Sequence, residues 1–294
     1  MDRSFPTLSE SQLELLARIV PPVFRKATAS DAALSRGLAR YITEVFAGNP
    51  RFGLIARDDA VDPNRFFSRH ILDSIAPWRF VLGDPDRTGG SRSARDIGDD
   101  SGDGGRLIYD LGSGAGLPGI PLALVAAALA APGGNLPPEF VLPEIVLVER
   151  RTKRVNFLRG AVPAVIAAFR GEAPAAAASG AKNTTPGIPT PRIRVLEADA
   201  DRLSAIETMP PGRTAVVFRA YQQTTPELLR GIAESVPGGT PVYAWKGRRE
   251  QTDAEAAIVS ASPWVEGDVA VDAIELPGSD AERTLLRWST RRVG

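Results

Sequence analysis

The residues whose types and spacing could do chemistry begin with a short glycine-rich stretch. Its sequence is Asp110-Leu-Gly-Ser-Gly-Ala-Gly-Leu-Pro-Gly119, and apolar runs flank it at 107–109 and 120–131. A strand, a glycine loop and a helix in this order can cradle a nucleotide-like ligand, because glycine admits positive φ and lets backbone N–H groups approach the ligand. We therefore predict a cofactor site at this stretch.

Two cofactors fit these glycines. Read from Gly114, the spacing Gly114-x-Gly116-x-x-Gly119 satisfies the dinucleotide fingerprint, which is a weak signal by itself. Read from Asp110, the spacing Asp-x-Gly-x-Gly-x-Gly is the S-adenosylmethionine (SAM) signature of class I methyltransferases, where the acid lies near the positively charged methionine end of the cofactor. A purely structural turn is the third interpretation, although these glycines cost backbone entropy without helping packing.

Composition limits the chemistry further. The chain has 294 residues, 43% of them hydrophobic, so it can bury one large core. It has no Cys, and His70 is its only histidine, so we expect no disulfide, no thiolate or histidine-rich metal centre and no metal-dependent catalysis. The formal net charge is +0, so a nucleic-acid surface requires local clustering of basic residues. With no signal peptide or membrane-length apolar run, we expect a cytoplasmic protein.

The first 82 residues are predicted to form an N-terminal helical cap. Helical spacing covers residues 8–20, where Pro21-Pro22 ends the first helix, and a second helix starts near Asp31 and stops at Gly48-Asn-Pro50. Asp62-Pro63 opens a third helix as N-cap and first helical residue. On it, Arg69 and Asp73 are four apart, which predicts an exposed ion pair beside a core-edge His70.

The remainder predicts alternating strands and helices. The strand 145–148 ends in Glu149, and an acid at this position can hold ribose hydroxyls in either cofactor class. Later elements end in two strands, at 265–276 and 283–288, that are predicted to pair as a closing antiparallel hairpin. This order favours a Rossmann-like, doubly wound, mostly parallel sheet of methyltransferase type, in a domain at 107–294, over a two-domain dehydrogenase.

Three segments lack apolar periodicity and are predicted to be insertions. The first, 83–106, is rich in Gly, Asp, Ser and Arg and is predicted to be a flexible surface segment. The other two, near 132–143 and 171–191, are low-complexity segments rich in small residues and proline.

A basic cluster follows Glu149 at the start of the next predicted helix. It consists of Arg150, Arg151, Lys153 and Arg154. Such a charge run is often only a solvated face, but beside a cofactor pocket it could also hold RNA phosphates.

Five segments together resemble the RsmG family, also called glucose-inhibited division protein B, which comprises bacterial 16S rRNA guanine-N7 methyltransferases. The resemblance covers roughly residues 34–288 apart from the insertions, and the glycine motif continued by Pro-Gly-Ile-Pro is its most specific part. The matching segments are Arg69–Ile75, Asp110–Pro121, Lys153–Arg159, Phe218–Tyr221 and Trp245–Gly247.

The resemblance implies a class I SAM-dependent methyltransferase that modifies N7 of a guanosine in the 530 loop of small-subunit rRNA. We expect 16S rRNA as partner, SAM as cofactor, no metal, no membrane association and a monomer. Arg219 is expected to position cofactor or guanine. The expected cofactor contacts are Asp110, Gly112, Gly114, Gly116, Leu117, Glu149, Ala200, Asp201 and Arg219. The expected RNA contacts are His70, Arg150, Arg151, Lys153, Arg154 and Lys246.

The residues also suit this acceptor. Guanine N7 carries a lone pair and no proton, so methyl transfer needs alignment and charge tolerance rather than a general base. The chain has no Cys for attack on cytosine C5 and no Asn/Asp-Pro-Pro-Tyr sequence to receive an exocyclic amine.

The family's usual Ser-Arg-Ala-Phe is Phe218-Arg-Ala-Tyr221 here, and Gly53-Leu-Ile55 replaces its Asn-Leu-Thr. An NAD-dependent oxidoreductase and a non-catalytic RNA-binding relative therefore stay open as alternatives.

Overall fold

The central element is a seven-stranded sheet, counted over the part of the chain that the computed structural model describes, residues 7–24, 29–83, 105–131, 140–172, 187–219 and 223–292. Most of its strands are rich in β-branched or aromatic residues, which suit a pleated sheet. The strands are β1 (Leu107–Leu111), β2 (Glu144–Glu149), β3 (Arg192–Glu197), β4 (Thr214–Arg219), β5 (Pro241–Lys246), β6 (Val265–Ala273) and β7 (Thr284–Thr290).

The strand order is β3-β2-β1-β4-β5-β7-β6. Strands β1 to β5 pair in parallel, whereas β7 is antiparallel to both β5 and β6. The order reverses between β1 and β4, so the carboxyl ends of these strands border the crevice where α/β sheets bind ligands. The predicted Rossmann-like, mostly parallel sheet and its closing antiparallel hairpin are confirmed.

Helices cover both faces of the sheet. None of the described helices is long and apolar enough to cross a membrane. The longer ones are α1 (Glu10–Ile19), α3 (Ala29–Phe52), α7 (Gly119–Leu129), α8 (Thr152–Arg170), α10 (Pro226–Ser235) and α11 (Arg249–Ser260). The shorter ones are α2 (Pro21–Phe24), α4 (Pro63–Phe66), α5 (Asp73–Ile75), α6 (Trp78–Leu82) and α9 (Leu203–Ile206), with a π-helix at Phe67–Leu72 and a 3₁₀ turn at Ala200–Arg202.

The N-terminal helices share one hydrophobic core with a face of the sheet. Leu38 and Trp78 belong to the same buried cluster as Leu124 of α7 and Leu147 of β2. A second cluster lies on the other face and includes Val216 and Leu229. The division into a cap at 1–82 and a methyltransferase domain at 107–294 stays a prediction, and most of the three predicted insertions lies outside the described residues.

The predicted end of the second helix at Gly48-Asn-Pro50 is wrong, because α3 continues through it to Phe52. A Cβ on Gly48 would come within 2.9 Å of the Phe157 ring, so this glycine permits close packing of α3 on α8 rather than a turn. The helix stops at Gly53, whose φ is +60°. The Asn49 side chain then accepts the Leu54 and Ile55 N–H groups at 2.7 and 2.9 Å.

The predicted ion pair between Arg69 and Asp73 is also wrong. Both residues lie in or just after the π-helix, where residues five apart rather than four apart are in register. Arg69 instead pairs with Asp59 at 3.0 Å, and Asp73 is buried. The wider turn therefore directs the two side chains to different partners.

We expect Gly119→Ala to lower the free energy of unfolding by about 1–3 kcal/mol, as overpacking does. A Cβ at Gly119 would lie 2.4 Å from Leu147 Cδ2 and 2.7 Å from Asp110 Oδ2, where α7 meets β1 and β2. Gly160→Ala is the matched control, because Gly160 is exposed on α8 with nothing within 4 Å of its Cβ position. The control should gain about 0.5–1 kcal/mol from helix propensity. Urea unfolding of both variants tests this, and equal effects would contradict it.

Candidate active site

The glycine loop between β1 and α7 is built on left-handed backbone. Gly112, Gly114 and Gly116 have φ of +66°, +59° and +99°. Gly116 is also packed closely, because a Cβ there would lie 2.4 Å from Ile120 Cδ1. Leu117, the remaining predicted loop contact, is partly buried against the core. The sequence therefore has glycine where positive φ or close packing excludes a side chain.

Asp110 lies beneath this loop at the end of β1 and is fully buried. Its Oδ2 accepts the Gly119 N–H at 2.9 Å, whereas Oδ1 has no hydrogen-bond partner among the described residues. The pKa of Asp110 is raised to about 8 overall. Burial is the largest cause and the Glu149 charge also raises it, whereas the Gly119 N–H and the Arg219 charge lower it. A buried oxygen without a partner is costly, and a cationic ligand group would satisfy it.

Glu149 ends β2 beside the loop, as predicted, and is buried. Its Oε2 accepts the Gly114 N–H at 3.1 Å, and its Oε1 accepts the Arg151 N–H at 2.8 Å. The carboxylate therefore joins the glycine loop to the start of α8. Each oxygen keeps a further lone pair that could accept a ligand hydroxyl.

The other predicted cofactor residues come from the segment after β3. Ala200 is buried at the start of the 3₁₀ turn, which also contains the backbone of Asp201. The Ala198 N–H donates to the Glu149 carbonyl at 3.2 Å, so the turn lies directly beside the end of β2. The structure thus brings the ends of β1, β2 and β3 together at one edge of the sheet.

Arg219, at the end of β4, contacts the N-terminal helices with all three guanidinium nitrogens. Its Nε pairs with Asp73 Oδ2 at 3.0 Å. Its Nη1 donates to the His70 carbonyl and Ser74 Oγ at 3.1 and 3.3 Å. Its Nη2 donates to the Arg69 carbonyl at 3.3 Å and to His70 Nδ1 at 2.6 Å. Arg219 is therefore fixed next to the glycine loop by the segment that precedes the sheet.

Three residues near the site were missed by sequence reasoning. Tyr41 is buried on its helix, and its hydroxyl donates to the Ala115 carbonyl of the glycine loop at 2.9 Å. A tyrosine on an apolar helix face signals such a contact, since its hydroxyl needs a partner when buried. Asp73 was predicted to be exposed, and Asp59 lies in a loop with no periodicity to mark it. The roles of these two residues depend on contacts between segments that are distant in sequence, which local patterns do not reveal.

The basic cluster divides into exposed and inward-turned members. Arg150, Arg151 and Lys153 are exposed, and Arg150 lies 3.6 Å from Asp199. Arg154 turns toward the loop, where its Nη1 lies 3.9 Å from Glu149 Oε2 and its Nη2 donates to the Gly53 carbonyl at 3.3 Å. Three cations of the cluster are thus accessible beside the predicted cofactor site.

His70 and Lys246, the other predicted RNA contacts, are already paired. His70 Nε2 lies 2.8 Å from Asp59 Oδ2, and its Nδ1 faces Arg219. Lys246 is only 10% exposed, with its Nζ 2.6 Å from Glu255 Oε2 and 2.9 Å from Thr224 Oγ1. The structure therefore does not join these two side chains to the exposed basic cluster.

Comparison with known proteins agrees with the family resemblance found in the sequence. The model of the family described as rRNA small subunit methyltransferase G, GidB, matches residues 34–167. The chain is 29% identical over 249 residues to ribosomal RNA small subunit methyltransferase G of Treponema pallidum, covering 84% of this chain and 83% of that protein. It is 27% identical over 275 residues to the protein of that name from Anaeromyxobacter sp. (strain Fw109-5), covering 88% and 97%.

Asp110→Asn should remove a pH dependence of stability. The folded-state pKa of Asp110, about 8, is above the ordinary value of about 3.9, so its contribution to stability is complete below about pH 4 and is lost as pH rises to about 8. The neutral amide does not titrate. The free energy of unfolding of the variant minus that of the wild type should therefore rise across this range, as measured by urea unfolding at several pH values. A difference independent of pH would contradict the prediction.

Proposed function

We propose that this chain is a member of the RsmG (GidB) family and transfers a methyl group from SAM to N7 of a guanosine in the 530 loop of 16S rRNA. The observation that carries the proposal is the buried Asp110 carboxylate beneath the glycine loop, with Oδ1 unpartnered among the described residues. This oxygen is a site for a cationic ligand group, which would ionise a carboxyl whose pKa of about 8 otherwise keeps it mostly neutral near pH 7. SAM fits it, because its methionine end carries a positive ammonium and a sulfonium.

The neighbouring residues suit the rest of this cofactor. Glu149 has lone pairs free for ribose hydroxyls at the end of β2. The Ala200 turn, adjacent to Glu149, would hold the adenine through backbone groups. Gly112, Gly114 and Gly116 leave the loop surface without side chains. These residues support SAM as cofactor.

The proposed reaction requires little acid–base catalysis from the protein. When bound, SAM supplies an electrophilic methyl group. Guanine N7 carries a lone pair and no proton, so the chain's own residues would have to align the acceptor, exclude water and tolerate the positive charge that passes to the purine as the S–CH3 bond breaks and the neutral thioether leaves. The Glu149 carboxylate, and Asp110 once a bound cation ionises it, favour positive charge at this edge of the sheet. Arg219 is held by its contacts with the N-terminal helices, so its fixed guanidinium would border the ligand.

The exposed basic residues beside the site support RNA as the acceptor. Arg150, Arg151 and Lys153 can neutralise phosphates while Arg154 remains against Glu149. An rRNA substrate also favours a cytoplasmic location.

Methylation of small ribosomal subunits tests the proposed function directly. Subunits from a deletion strain, incubated with the wild-type protein and SAM, should gain one N7-methylguanosine in the 530 loop, detected by primer extension after cleavage and by mass spectrometry. Asp110→Ala should lower SAM binding by on the order of tenfold or more, because it removes a charge-assisted contact. Binding of NAD rather than SAM in calorimetry would favour the oxidoreductase, and RNA binding without a methylated product would favour the non-catalytic relative.

Neutralising Arg151 and Lys153 together to Gln should flatten the salt dependence of RNA binding. Each lost phosphate contact lowers the slope of log K against log salt by roughly 0.7–0.9. Arg230→Gln is the matched control, because Arg230 is exposed on α10 and pairs only loosely with Glu234 at 3.8 Å. An unchanged slope in the double variant would return the cluster to a solvated surface.

A further inference from the structure

The His70 ring lies between an acceptor and a donor. Its Nε2 is 2.8 Å from Oδ2 of Asp59, and its Nδ1 is 2.6 Å from Nη2 of Arg219. An ionised carboxylate only accepts hydrogen bonds, and a guanidinium only donates them. Both contacts are satisfied together only when the imidazole is neutral, with its proton on Nε2 and a lone pair on Nδ1.

The surroundings keep His70 in this neutral form. Burial and then the positive charge of Arg219 lower the pKa of His70, against the carboxylates of Asp59 and Asp73, which raise it. Burial raises the pKa of Asp59, but its hydrogen bond with His70 and the charges of Arg69 and Arg65 lower it overall. Asp59 is therefore ionised and His70 neutral near pH 7.

The ring is also held in position. The Phe66 ring lies 5.1 Å from the His70 ring, centroid to centroid, with 32° between the planes. The backbone of His70 is also held, because Ser74 Oγ donates to the His70 carbonyl at 2.6 Å. Asp59 itself is buried and fixed by Arg69 at 3.0 Å and Arg65 at 3.4 Å. The line from Asp59 through His70 to Arg219 is thus a chain of side chains with fixed orientation.

We propose that Asp59 is a positioning residue, which holds His70 as the Nε2–H tautomer so that Nδ1 accepts from Arg219 and fixes its guanidinium at the edge of the cofactor site. The proposal rests on the proposed function for its effect on methyl transfer. Asp59 acts only through His70 and touches neither cofactor nor substrate. It also explains why His70, with both ring nitrogens engaged, is not part of the exposed basic cluster.

Replacing Asp59 by Asn tests the tautomer. The amide can donate to Nε2 instead of accepting from it, which moves the ring proton to Nδ1 and places it against an Arg219 N–H. The same exchange at an aspartate–histidine pair in serine proteases stabilises the wrong tautomer. Arg65→Gln is the matched control, because it removes a charge next to Asp59 without touching the His70 hydrogen bond.

Nitrogen NMR reads this tautomer without reference to activity. His70 is the only histidine of the chain, so ¹⁵N-histidine labelling gives one imidazole. The wild type and Arg65→Gln should show a protonated Nε2 and an unprotonated Nδ1 at neutral pH, and Asp59→Asn should shift the population toward Nδ1–H. A wild-type ring that is protonated on Nδ1 or averages between tautomers, or an unchanged spectrum in Asp59→Asn, would overturn the proposal.

Two isosteric variants connect the tautomer to function. His70→Asn leaves an amide oxygen near the position of Nδ1 and keeps an acceptor for Arg219, whereas His70→Gln keeps reach toward Asp59 but loses that acceptor. We expect kcat/KM to fall by on the order of 10-fold to 100-fold in Asp59→Asn and His70→Gln, and clearly less in His70→Asn and Arg65→Gln. Equal losses in the two His70 variants, with all four melting as cooperatively as the wild type, would reject positioning through Nδ1. A wild type with the expected spectrum but no methylation would instead refute the proposed function.

Discussion

The carboxyl ends of the strands depend on one buried ion pair, between Arg219 and Asp73. A guanidinium is expensive to bury unless its charge and N–H groups find partners, and removing one partner of such a pair is strongly destabilising. Asp73 satisfies Arg219 at the end of β4, and its Oδ1 also pairs with Arg283, just before β7, at 3.0 Å. The Trp245 side chain of β5 donates to the Asp73 carbonyl at 2.9 Å. One residue after the π-helix thus joins three strands to the N-terminal helices.

The π-helix is the backbone feature that makes this possible. Its wider turn places Asp73 toward the sheet, and the carbonyls of Arg69 and His70 accept from Arg219. Tyr41 makes a second link, from α3 to the glycine loop. The N-terminal helices therefore fix both the loop over Asp110 and the arginine next to it. Such π turns are rare and often occur at functional sites, which agrees with the position of this one.

The sequence could predict what local patterns determine. The strands, the glycine loop and the acids at the ends of β1 and β2 follow from apolar runs and from glycine spacing, and they are found where expected. The continuation of α3 through Gly48 could not be predicted, because that glycine serves packing against Phe157. The partners of Asp73 lie more than a hundred residues away in the sequence. The π turn could not be predicted either, because the sequence pattern there also fits an ordinary helix with residues four apart on one face. Local propensity yields to tertiary contacts at such positions.

The ion pairing of Arg219 also determines the electrostatic environment of a ligand in the site. Arg219 lies close enough to Asp110 to lower the pKa of its carboxyl, so an unpaired Arg219 would repel a cationic cofactor. The Asp73 carboxylate offsets that charge, and His70 contributes none in its neutral form. Glu149, and Asp110 when a bound cation ionises it, then make the interior of the site negative, while Arg150, Arg151 and Lys153 make its rim positive. The proposed reaction needs both, since its methyl donor is a cation and its acceptor a polyanion, and a chain with net charge +0 achieves this by separating the two signs over a few residues.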